Sequence, residues 1–210
     1  MTLRKPMRTS RRASTRELWG IRPEAQESLP KAGLFVRRGG ISLLEQGMKL
    51  EVCRGCGLAL DPGQKFPKAQ FHSSDACWAQ YGMLAAWTLT LADPSFPHQH
   101  AVDAYAAQHV GPESRPIQAV FALCGICLAL EHGATGRQVQ LAHMKMGKAR
   151  LDWPAWAPRT RQFDLTVKDL LRIPEGKDRL SALRPWMECA WSAWSHEQEE
   201  VRKLLKSLSI

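Results

Sequence analysis

The chain of 210 residues has no apolar run near the ~18 residues that a membrane-crossing helix needs. It also lacks a charged-then-apolar secretory leader. Membrane insertion and export are therefore not indicated, and the cytoplasm is the expected compartment. Reaction-naming signatures are missing too: there is no Walker, GxSxG, HExxH or GxGxxG pattern. Strand-like alternation of useful length and internal repeats are both absent, which argues against sheet and solenoid folds. Six cysteines without a secretory leader suggest reduced thiols or metal ligands, not a disulfide framework.

A hydrophobic content of 44% and eight tryptophans indicate a packed globule. The net charge of +9 suggests nucleic-acid binding until the charges are located. Residues 1–47 contribute +6, leaving +3 for the rest, an ordinary surface balance. This Arg/Ser/Pro/Gly-rich leader has three readings. It is a disordered basic arm, a transit peptide weakened by its glutamates, or upstream sequence read through an early start codon. The last is favoured, with Met48 the working start. Nucleic acid is accordingly an unlikely partner, as is a membrane. The expected partner is an unidentified protein or small molecule.

Residues 48–210 read as one helical domain opened by a Cys-rich loop over 48–77. Helical patterns follow over about 77–93, 97–110 and 116–132, the last apolar on nearly every face. Thr135 and Gln138 form a capping-box pair for a helix reaching about Met146. Thr166 can cap a short helix to Arg172, after a Pro/Trp-rich loop folded over the bundle. A final stripe over 178–208 joins Leu180, Leu183, Met187, Trp191, Trp194, Val201, Leu205 and Leu208. Pro185 starts or kinks that element. The expected fold is all-α, a bundle of about five helices preceded by a zinc-knuckle-like loop.

Cys53-Arg-Gly-Cys56-Gly is a C-x2-C-G knuckle, a spacing at which two thiolates grip one Zn²⁺. Cys77 offers a third sulfur. The fourth ligand is either His72, local to the loop, or His109, which would staple the loop to the bundle. Cys124 and Cys127 share the C-x2-C spacing but lie inside an apolar helix, where cysteine is a small core residue; Cys189 is read the same way.

HQHAVDAYAAQHV, residues 98–110, is dense in polar side chains. His98 and His109 lie about 16 Å apart along a helix, too far to share one metal. Asp103 projects elsewhere and could orient a ligand. His100 is expected to face solvent, and His98 to be a neutral surface histidine.

The segments CxxCG, CWxxY, VDAYAAQH, FALCGICLALEHGATGRQVQ-x2-H and WxxW resemble a bacterial family known only as a domain of unknown function. The resemblance covers roughly residues 50–205 and leaves the leader outside. It implies no activity. It picks out Cys53, Cys56, Cys77, Asp103, Gln108, His109 and His143, and turns the fourth-ligand choice from His72 to His109.

Two functions follow. The first is a zinc-binding helical module with a structural metal held by Cys53, Cys56, Cys77 and His109, and a binding or regulatory role. His72, Asp103, Gln108 and His143 are then supporting or alternative ligands. The second is a metal-dependent hydrolase or transferase using Asp103, His109 or His143 in the bundle core. His196 could join that set but is expected to be exposed. Trp153, Trp156, Trp186, Trp191 and Trp194 could line a pocket, though their helical spacing beside leucines suits core packing.

Overall fold

A computed structural model describes residues 50–61, 68–149, 151–157 and 163–210. The expectations for residues 1–47, and for a start at Met48, lie outside the described residues.

Two short strands, β1 (Glu51–Val52) and β2 (Ala59–Leu60), pair antiparallel in the register Glu51 to Leu60 and Val52 to Ala59. Eight helices follow among the described residues: α1 (Asp75–Thr90), α2 (His98–Gln108), α3 (Pro116–Glu131), α4 (Gly136–Lys148), α5 (Val167–Arg172), α6 (Lys177–Ser181), α7 (Leu183–Ala193) and α8 (Gln198–Ser207). The all-α bundle read from the sequence is present, with more and shorter helices than the five expected. Strands of two residues are too short to leave an alternation in the sequence.

Local signals fix most boundaries. Ser74 caps α1, its Oγ accepting from the Cys77 amide at 3.2 Å. Pro116 opens α3 at a position where its missing N–H costs nothing. Thr135 and Gln138 close a reciprocal box at the start of α4, and Thr166 with Asp169 does the same for α5.

α2 lies at the centre, packed against α1, α3, α4 and α7. Its residues Ala101 and Asp103 to Gln108 are all buried, although the sequence marks α3 as the most buried helix. Both share the core, and the central place of α2, a helix the sequence does mark, goes unread because alanines, not large aliphatics, line it. The small side chains let the neighbouring helices approach closely.

The stripe over 178–208 is buried as expected at Leu183, Met187, Trp191, Trp194, Val201 and Leu205. It is divided among α6, α7 and α8 and is not one helix. A straight helix of that span would be about 46 Å long, and α7 has to lie on α2 while α8 lies on α3. The break falls at Trp194, whose indole Nε1 donates to the Ala107 carbonyl at 3.1 Å. Pro185 sits in the first turn of α7, where proline is tolerated.

Candidate metal centre

Three separate segments bring four donor atoms together. Cys53 and Cys56 sit on the turn between β1 and β2. That turn is closed by Cys53 N–H donating to Leu58 O at 2.8 Å and Gly57 N–H donating to Cys53 O at 3.0 Å. Gly57 has φ +76, so the glycine of the C-x2-C-G motif occupies a left-handed conformation that a side chain would strain. Cys77 lies in the first turn of α1, where the helix dipole favours a thiolate. His109 caps the C-terminal end of α2.

The thiol sulfurs and the His109 ring nitrogen all lie within 4.8 Å of one another. Cys56 Sγ is 3.8 Å from Cys77 Sγ, and Cys77 Sγ is 3.4 Å from His109 Nε2. A tetrahedron with ~2.3 Å metal–sulfur and ~2.05 Å metal–nitrogen bonds has S–S edges of about 3.8 Å and S–N edges of about 3.6 Å. The spacing matches such a centre and is far beyond the ~2.05 Å of a disulfide. All four residues are buried at 2% exposure or less.

The surroundings hold each donor in place. His109 Nδ1 lies 2.7 Å from the Tyr105 carbonyl oxygen, so Nδ1 carries the proton and Nε2 presents its lone pair to the sulfurs. The His109 ring stacks on Tyr105 at 3.9 Å, and Tyr105 stacks on Tyr81 at 4.1 Å. The Tyr105 hydroxyl donates to Cys77 Sγ at 3.7 Å and the Ser74 amide to Cys53 Sγ at 3.4 Å. Left without an ion, thiols this close do not ionise together. Hydrogen bonds from Cys56 and Cys77 pull Cys53 far below the ordinary thiol range, while the Cys53 contact pushes Cys56 up to about 12 and raises Cys77. A divalent cation reverses that balance, because a coordinating thiol is deprotonated outright.

Gly55 is needed where the knuckle meets α2. A Cβ there would lie 2.5 Å from the His109 ring and 2.5 Å from the His72 carbonyl oxygen. His72 itself is half-buried, and its ring lies against Gly111, where a Cβ would approach it to 2.2 Å. His72 is not among the four clustered donors, although its amide donates to the His109 carbonyl at 3.2 Å.

The remaining singled-out residues have other surroundings. Gln108 is a brace: its Nε2 donates to Leu165 O at 2.8 Å and its Oε1 accepts from Trp186 Nε1 at 3.0 Å. It thereby ties the end of α2 to α7 and to the segment before α5. Asp103 faces α3, where a Cβ on Gly125 would lie 2.1 Å from its Oδ2. Gln99 Nε2 donates to Asp103 Oδ1 at 3.0 Å and lies 3.4 Å from His143 Nδ1. His143 Nε2 donates to Phe121 O at 2.9 Å. Asp103 Oδ2 has no hydrogen-bond partner among the described residues. Burial raises the Asp103 carboxyl well above its ordinary range and lowers His143 to about 4.

Three histidines differ from expectation. His98 and His100 are half-buried, their pKa values lowered by that burial. His98 Nδ1 lies 2.8 Å from Thr88 Oγ1, and His100 Nε2 donates to Ala134 O at 3.2 Å. The side chain of His196 is only 11% exposed, and its Nε2 donates to Ala157 O at 3.1 Å. His98 meets helix α1, and His100 and His196 meet adjoining loops, contacts that helical periodicity does not reveal. Cys124 and Cys127 are free and buried, and Trp186, Trp191 and Trp194 belong to the core.

Fold and centre together define a class: a helical domain in which a cysteine knuckle is drawn onto the bundle by one histidine. The chain belongs to DUF5946, a family of unknown function, whose model matches residues 51–195. No curated protein and no solved structure matches it.

Proposed function

We propose that Cys53, Cys56, Cys77 and His109 hold one Zn²⁺, that this ion is structural, and that the domain serves as a cytoplasmic binding or regulatory module. One observation carries the reading: four donors at tetrahedral spacing, all buried. Three sulfurs and one imidazole suit zinc, and four protein ligands leave no coordination position for water or substrate. Among the described residues no helix is long and apolar enough to cross a membrane. The ion would pin the β1–β2 hairpin, which carries only two residue pairs of its own, to the packed α1 and α2 helices. Its binding free energy would then be folding free energy.

Chelation tests this directly. Stripping the ion with excess chelator should abolish the cooperative thermal transition, and one equivalent of zinc should restore it. An unchanged melting curve in stripped protein would refute the structural role.

A second reading, a metal-dependent hydrolase or transferase in the bundle core, draws on the Asp103–Gln99–His143 link. Asp103 Oδ2 is buried with no partner among the described residues, and a cation could neutralise it. This reading requires a second metal equivalent that disappears in Asp103→Asn while the first remains.

A further inference from the structure

A groove of about 630 Å³ lies between α1 and the α5–α6 segment, within the ~300–1,000 Å³ common for small-molecule sites. Met83, Trp87 and Leu171 supply its apolar bed, and Met83 is 60% exposed. Lys168, Arg172 and Arg179 supply its charge, with Glu175 the single acidic lining residue.

Arg179 is the informative member. It is only 7% exposed, and its guanidinium lies 5.0 Å from the centre of the Trp87 ring. Its Nε donates to Ile173 O at 2.7 Å, its Nη2 to Leu171 O at 3.3 Å, and its Nη1 to Glu175 Oε1 at 3.4 Å. Two of those acceptors are neutral carbonyls, and the Glu175 side chain is 66% exposed. A buried cation is thus balanced by one solvated acid at a long distance, and three of its five N–H groups are engaged among the described residues. Arg172 pairs with Asp169 at 3.2 Å and is largely exposed, while Lys168 forms no ion pair among the described residues. Positive charge therefore exceeds negative charge along one side of an apolar bed.

We propose that this groove binds a small amphipathic organic anion. Its carboxylate would meet Arg179, with Lys168 and Arg172 as rim cations, and its apolar body would lie on Met83, Trp87 and Leu171. Guanidinium–carboxylate contacts are among the stronger hydrogen bonds, and the burial of Arg179 reduces competition from water. The assignment deepens the reading of the domain as a binding module and does not depend on the metal.

The test is a titration of the ¹⁵N-labelled full chain with octanoate and, in parallel, with octylammonium, which has the same apolar body and the opposite charge. Octanoate should produce saturable shifts at the Trp87 indole N–H and at amides of α1 and α5. Octylammonium should bind about tenfold more weakly or not at all. The double variant Lys168→Glu, Arg172→Glu should weaken octanoate about tenfold, and Met83→Glu should weaken it as well. These side chains are on the surface, so zinc content measured on the same samples should stay unchanged. Failed octanoate binding with zinc retained would overturn the groove and leave the metal centre standing. Equal binding of the two probes, shifts confined to other surfaces, or indifference to charge reversal would also overturn it. Competition by an acidic protein segment, with octanoate inactive, would assign the groove to a protein partner and refute the small-molecule proposal.

Discussion

Helix α2 carries two buried polar clusters that resolve their electrostatics in opposite ways. At its C-terminal end, Tyr105 and His109 join three cysteines into a set in which every donor has a neighbour at ligand spacing. At its middle, Asp103 is pressed against Gly125, and among the described residues one of its oxygens is paired and the other is not. The first cluster has the donors and the spacing that a metal ion could occupy. The second disfavours charge, because burial raises its carboxyl and lowers its histidine. Burial is common to both clusters; the convergence of four donors is what separates the first from the second.

The comparison is broken most severely at the cysteines. Cys56→Ser should lose the metal and the cooperative melt, because structural zinc contributes on the order of 10 kcal/mol, comparable with a whole domain's stability. A variant that keeps zinc and melts normally would sink the structural reading. Gly55→Ala should be milder, costing about 1–3 kcal/mol by overpacking, since the added methyl meets the His109 ring and a backbone carbonyl. Reduced zinc affinity should accompany it, read by competition with a chromophoric chelator.

Gly125→Ala probes the other cluster and should likewise cost about 1–3 kcal/mol in urea unfolding. Here the clash is with a side chain, so Asp103→Ala should relieve much of it, giving a coupling of about 1 kcal/mol or more in the double-mutant cycle. Zinc content should not change. Strict additivity would mean that Asp103 and Gly125 do not meet.

The smallest effect is a pH dependence. A carboxyl whose folded pKa is raised contributes stability below its unfolded pKa near 3.8 and loses it as pH rises through the folded value. Asp103→Asn should therefore gain on the parent as pH rises above about 4. His143 acts in the opposite sense: lowered to about 4, it withdraws stability as pH falls from about 6.5. His143→Gln should flatten that acid limb. Melting temperatures of parent and variants across this range check both signs.

Much of this architecture was legible in the sequence. Capping residues Thr135, Gln138 and Thr166, and Pro116 at a helix start, act within a few residues and leave a local signature. The C-x2-C-G knuckle is local as well. The division of residues 178–208 was not legible, because it depends on where α2 and α3 present their surfaces. Gln99 was missed for the same reason: its partners Asp103 and His143 lie on two helices, and only packing brings His143 within reach. The choice of His109 beside the cysteines rested on a family resemblance, since spacing alone fits His72 equally well. Gly55 did carry a signal in hindsight: a glycine inside a metal knuckle leaves room for a neighbour to approach.

Metal content is the most direct measurement. Elemental mass spectrometry of the purified chain, of His109→Ala and of His72→Ala should find about one zinc per chain in the parent and in His72→Ala, and none in His109→Ala. Absence of metal from the parent, or zinc kept in His109→Ala and lost in His72→Ala, would contradict a centre that joins the knuckle to α2.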